Sequence, residues 1–182
     1  MNAPNLISLV RLLAVPLVVW LTLEGHGVWA FWVFVGAGVS DAIDGAIAKR
    51  FGLATDLGRY LDPIADKVLL VAVYVTLGSA GAVATWLVML VVTRDALIVG
   101  GAMLSQARGH GVQIQPLLLS KVNTAMQIVL AAALLGELAY GSFAELAAPW
   151  VKPVLVWTVA ATTTASGIVY LWRWGAAAPE EA

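Results

Sequence analysis

The sequence predicts an all-α, polytopic membrane protein of six transmembrane helices, and three observations carry that expectation. Of 182 residues, 61% are hydrophobic and 12% charged, with a mean hydropathy of +0.90; a water-soluble domain carries about 25% charged residues. The uncharged residues fall in long blocks, Leu12–Leu23, Gly27–Ser40, Val68–Thr93, Val122–Gly136 and Pro153–Trp172, none of which contains Asp, Glu, Lys or Arg. Gly25, Gly27, Gly78, Gly81 and Gly111 fall at or near the boundaries that divide the chain into six segments, where a missing side chain eases a turn. A bilayer-crossing helix needs about 20 mostly apolar residues, and only the last block supplies that alone. The other spans must admit charged residues at their ends, which directs attention to the aspartates.

Taken in order, the expected helices cover 6–24, 27–50, 57–78, 82–106, 118–138 and 150–173. The first holds Pro16, which should bend it, a distortion that neighbouring helices tolerate in a membrane. Its apolar block lacks a small-residue cleavage site and is followed by Trp-rich and acidic segments, so it reads as a retained helix rather than a signal peptide. The last helix is bracketed by Trp150, Trp157, Trp172 and Trp174, as expected of interfacial anchors. One membrane domain covering 1–182 is expected. On an alternating path, Lys49, Arg50, Arg59, Arg108 and Arg173 fall on one side, while Glu24, Glu137 and Glu145 lie opposite with Lys152. Basic residues mark the cytoplasmic side, so both termini and the connection between the second and third helices should be cytoplasmic, in the cell's inner membrane.

Cysteine is absent, which excludes disulfides and thiolate chemistry. A net charge of −1 with no basic stripe argues against nucleic acid as a partner.

The informative stretch is SDAIDGAIAKRFGLATDLGRYLDPIADK, residues 40–67. Asp41 and Asp44 are three apart and Asp62 and Asp66 four apart, so each pair shares a helix face. The first pair stands near the end of the second helix and the second near the start of the third, so four carboxylates can converge at similar depth. Four neighbouring anions repel in a partly desolvated pocket, and a divalent cation would relieve that. An all-oxygen set suits Mg2+ or Mn2+ rather than zinc, and neither His26 nor His110 is placed to join it. Gly45, Ala48 and Gly58 lie beside the carboxylates; they leave room for a ligand, or only let the helices pack closely. Buried intramembrane carboxylates are expensive enough to mark function. A small ion or metal transporter would use such acids too, but it needs a site near the bilayer midplane on broken helices, and these acids gather toward one interface.

These residues resemble the signature of the CDP-alcohol phosphatidyltransferases, D-x2-D-G-x2-A-R-x8-G-x3-D-x3-D. It is met by Asp41, Asp44, Gly45, Ala48, Gly58, Asp62 and Asp66 with every spacing kept, and Lys49 stands where the family usually has Arg. Lys retains the charge but not the bidentate fork that suits a phosphate. The opening PNLISLVR is similar to the family's P-N-x-x-T-x-x-R. The resemblance implies a metal-dependent enzyme that moves a phosphatidyl group from CDP-diacylglycerol to an alcohol and releases CMP, with membrane lipid around it. It further implies Mg2+ or Mn2+ on Asp41, Asp44, Asp62 and Asp66, with Asp66 as the general base. The donor would be bound by Asp41, Asp44, Gly45, Ala48, Lys49 and Gly58. Dimerisation is usual in the family, which makes a homodimer the expectation.

For the acceptor, LDPIADK, TRDALIVGG and SKVNTAMQ resemble the branch using glycerol-class alcohols, either glycerol 3-phosphate or phosphatidylglycerol. Inositol phosphate or serine are the alternatives within the family. Acceptor contacts are expected among Asn5, Arg11, Lys67, Arg94, Arg108 and Lys121; for Arg94 and Arg108 the competing account is ion pairing or snorkelling to headgroups. Lys121 stands in a polar run with Ser120, Asn123, Thr124 and Gln127, a grouping better suited to recognition than to lipid contact.

Overall fold

In the computed structural model the described residues form six helices: α1 (Ala3–Leu23), α2 (Gly27–Phe51), α3 (Asp56–Ser79), α4 (Thr85–Ala107), α5 (Leu118–Tyr140) and α6 (Val151–Ala176). The structure describes the backbone of residues 3–51, 56–107, 118–141 and 148–176, and the side chains of 12–40, 67–101, 118–141 and 148–172. All six expected helices are present, and Pro16 sits inside α1 without ending it.

The expectation that all six cross a membrane is corrected. Among the described residues two stretches are long and apolar enough to do so, Leu118–Tyr140 and Val151–Trp172. The other described apolar stretches, Leu12–Leu23, Gly27–Ser40 and Lys67–Ser79, fall in the 10–17 residue range, short of the length a bilayer core requires; each is bounded on one side by the limit of the described side chains. α4 carries Arg94 and Asp95 near its middle. The membrane character rests on α5 and α6, where only 33% and 22% of the most apolar window is buried, so much of their apolar surface faces outward. Trp150, Trp157 and Trp172 are among the exposed side chains.

The chain gathers into two compact units. The first comprises Met1–Ala84 and Ala131–Pro149, and the second Thr85–Leu130 and Trp150–Ala182.

In the first unit α1 packs against both α2 and α3. Leu70, Val73, Tyr74 and Leu77 are buried, and their spacings of three and four put them on one face of α3. They share the core with Val18 and Leu21, Ala30 and Phe34, and Ala131, Leu134 and Leu135. Thr22 and Thr76 are its buried polar side chains among the described residues, and each donates to a carbonyl of its own helix, Val18 and Ala72. α1 ends in a glycine cap. Gly25 takes φ +77°, its amide donates to Thr22 O, and the His26 amide reaches Leu21 O, the paired bonds of a left-handed C-terminal cap. Gly81 and Ala82 repeat this at the end of α3, bonding Gly78 O and Leu77 O.

Gly27 does something the sequence reading did not foresee. A Cβ there would collide with the Leu138 carbonyl oxygen and stand 2.7 Å from its carbon. The residue is therefore needed for backbone-to-backbone approach of α2 and α5, as small residues permit in membrane proteins, and not merely to ease a turn. Nearby, Trp32 Nε1 donates to Tyr140 Oη at 2.8 Å.

In the second unit α4 packs on α6. Leu87, Val91, Leu130 and Val159 are fully buried. So are Asn123, Gln127, Thr163 and Ser166, with Arg94 and Asp95 each 3% exposed.

Candidate functional site

Asp41, Asp44, Gly45, Ala48 and Lys49 lie on the last turns of α2, and Gly58, Asp62 and Asp66 on the first turns of α3. α2 ends at Phe51 and α3 begins at Asp56, so the two halves of the motif flank one short connection. Both helices have α1 as a packing neighbour. The side chains of these eight residues lie outside the described residues. Among the described residues no group of three or more His, Cys, Asp or Glu gathers.

The expected acceptor contacts divide in the same way. Asn5 and Arg11 are on α1, with side chains outside the described residues, and Arg108 lies outside them altogether. Lys67, on α3, is half-buried, and Lys121, in the first turn of α5, is exposed.

Arg94 is enclosed. Its Nη1 donates to Asp95 Oδ1 at 2.6 Å, and its Nη2 donates to Ser120 Oγ at 2.7 Å and Ser166 Oγ at 2.6 Å. Its guanidinium carbon stands 5.9 Å over the Tyr170 ring, within cation–π range. The side-chain stem passes Gly167, where a Cβ would sit 3.8 Å from Arg94 Cγ. One turn further along α5, Asn123 Oδ1 accepts from Thr162 Oγ1 and Thr163 Oγ1, both at 2.8 Å. Buried Arg94 Nε and Asn123 Nδ2 have no hydrogen-bond partner. Ser120 and Asn123 share a face of α5, as Thr163, Ser166 and Tyr170 share a face of α6. A polar seam therefore joins α5 to α6, closed at one end by a guanidinium from α4.

Ser166, Thr162 and Thr163 were not singled out in the sequence. They stand inside the charge-free block Pro153–Trp172, where hydropathy hides them. The signal available was the run Thr162–Thr163–Thr164 with Ser166, four hydroxyls in five residues of an otherwise apolar helix.

The model of the CDP-alcohol phosphatidyltransferase family matches residues 1–166. The chain belongs to that family. It stands close to the branch containing cardiolipin and phosphatidylglycerol-type synthases. A chloroplastic CDP-diacylglycerol--glycerol-3-phosphate 3-phosphatidyltransferase 1 of Oryza sativa is 35% identical over 187 residues, covering 93% of this chain and 56% of that protein. A putative cardiolipin synthase of Mycobacterium tuberculosis is 37% identical over 110 residues, 60% of this chain and 53% of that protein. The human cardiolipin synthase (CMP-forming) is 28% identical over 188 residues, 94% of this chain and 61% of that protein. The chain thus spans little more than half the length of these relatives.

Proposed function

We propose that this protein transfers a phosphatidyl group from CDP-diacylglycerol to a glycerol-class alcohol, glycerol 3-phosphate or phosphatidylglycerol, releasing CMP at the cytoplasmic face of the cell's inner membrane. The observation that carries this reading is the Asp41–Asp66 motif, kept at every spacing and divided between two helices that both pack on α1. The names of its relatives, a glycerol-3-phosphate 3-phosphatidyltransferase and several cardiolipin synthases, favour the glycerol class.

The donor set fits Mg2+ or Mn2+, since Asp41, Asp44, Asp62 and Asp66 offer only carboxylate oxygens. Such an ion, when bound, offsets negative charge on diphosphate oxygens. Asp66 takes the proton of the attacking hydroxyl, because an alcohol is a poor nucleophile until a base within hydrogen-bond reach removes it. The alcohol oxygen bonds to the phosphatidyl phosphorus, the bond from that phosphorus to the CMP oxygen breaks, and CMP leaves. Gly45, Ala48 and Gly58, lacking bulk, admit the nucleotide, while Lys49 supplies a point charge to the diphosphate. Lys121, with Lys67, Arg11, Arg108 and Asn5, supplies acceptor contacts.

The test is CMP release by the purified protein with CDP-diacylglycerol, Mg2+ or Mn2+, and either acceptor in parallel. Release with one acceptor alone identifies it, and release with neither, from folded protein, refutes the reading. Asp66→Asn should keep donor binding and lower turnover by about 10²–10⁴-fold, the contribution of a general base. Asp44→Asn should weaken metal binding instead.

A further inference from the structure

We infer that Arg94 is a positioning residue, which acts through Ser120 to fix the first turn of α5 and so sets Lys121 for an anionic acceptor. The inference rests on the proposed role of Lys121 as an acceptor contact.

Arg94 cannot itself be the charge that an incoming anion meets. It is 3% exposed, Asp95 already balances its charge at 2.6 Å, and both Nη atoms are engaged inside the protein. What it does touch is informative. Nη2 holds Ser120 on α5 and Ser166 on α6 together while Nη1 donates to Asp95, and that division between two coplanar nitrogens suits the planar fork of Arg rather than the single nitrogen of a Lys.

Ser120 is the third residue of α5, which begins at Leu118. A helix is held least at its start, because its first amides have no carbonyl of their own helix to bind. A side-chain anchor there decides how that turn is oriented. Thr124 Oγ1 adds a bond to the Ser120 carbonyl at 3.1 Å, so the residue is gripped through its side chain and its backbone. The next residue, Lys121, is exposed. It is the cation nearest in sequence to the anchored serine, and its stem leaves the helix from the turn that Arg94 fixes. The seam continues this hold for another turn through Asn123, Thr162 and Thr163.

A double-mutant cycle distinguishes positioning from direct contact, because residues acting through one another do not add. Lys121→Ala should raise the KM for glycerol 3-phosphate or phosphatidylglycerol about tenfold or more, the loss of a charge-assisted hydrogen bond. The KM for CDP-diacylglycerol should stay unchanged. Arg94→Lys and Ser120→Ala should each raise the acceptor KM several-fold with the same donor KM. Combining either with Lys121→Ala should make the defect no worse than Lys121→Ala alone. A multiplied defect in the double variant would overturn the inference, as would wild-type acceptor KM in Ser120→Ala. If Arg94→Lys does not fold, the Ser120→Ala and Lys121→Ala cycle decides the matter alone. A wild-type acceptor KM in Lys121→Ala refutes the acceptor role beneath the inference, and with it the inference, an outcome distinct from additivity. Calorimetric binding of whichever of glycerol 3-phosphate and phosphatidylglycerol supports turnover gives the same comparison without catalysis, and no binding of that acceptor by the wild-type protein would count against both.

Discussion

The two compact units solve the burial of polar groups in opposite ways. In the first, the described core is hydrocarbon apart from the Tyr74 phenol and two threonines, and the threonines spend their hydroxyls on their own helices. In the second, a guanidinium, a carboxylate, two amides and several hydroxyls are buried, and Arg94 and Asn123 bond to hydroxyls of other helices. Apolar packing joins helices without fixing them to one another by direction, whereas hydrogen bonds between helices impose an orientation. The second unit therefore specifies the mutual rotation of α4, α5 and α6 more tightly than hydrocarbon contacts alone would.

The largest expected effect tests that contrast at its centre. Asp95→Asn leaves the Arg94 charge buried without its partner and should cost about 3–5 kcal/mol, as breaking a buried pair does, read as a lowered unfolding midpoint in detergent. If the loss is negligible, the pair is not a structural element. In the first unit the sensitive feature is steric instead. Gly27→Ala drives a methyl into the Leu138 carbonyl and should destabilise by about 1–3 kcal/mol, the usual range for overpacking; unchanged thermal stability would mean that α2 and α5 part easily there. A smaller effect follows from Asn123→Ala, which removes the acceptor shared by Thr162 and Thr163. Interhelical bonds of this kind contribute about 0.6–1.7 kcal/mol in membranes. Smallest of all should be Thr22→Val, because only an intrahelical bond is lost; a loss of about 0.5 kcal/mol is expected, the low end of one hydrogen bond's net contribution. A Thr22 effect equal to that of Asn123 would erase the distinction between the units.

Helix number and placement were legible because charges and glycines punctuate the apolar blocks, and the glycine caps at Gly25 and Gly81 mark ends that the sequence also marked. The membrane-crossing count was not. Block counting carries each helix through its charged end, whereas the described apolar stretches of α1, α2 and α3 are 10–17 residues long. The acidic motif could be read directly, since its chemistry is written in spacing along two consecutive helices. The polar seam could not, because it depends on which faces of α4, α5 and α6 meet, and hydroxyl residues raise no hydropathy alarm. The special position of Gly27 was hidden for a similar reason: its neighbour, Leu138, is more than a hundred residues away in the chain.

The glycine caps carry a consequence for local opening. The amides of Gly25, His26, Gly81 and Ala82 are all bonded back to the preceding turn, where an uncapped helix would leave its last carbonyls to solvent. Hydrogen–deuterium exchange should therefore slow through these corners instead of quickening at the helix ends, and α1 with the start of α2 should exchange as one cooperative block.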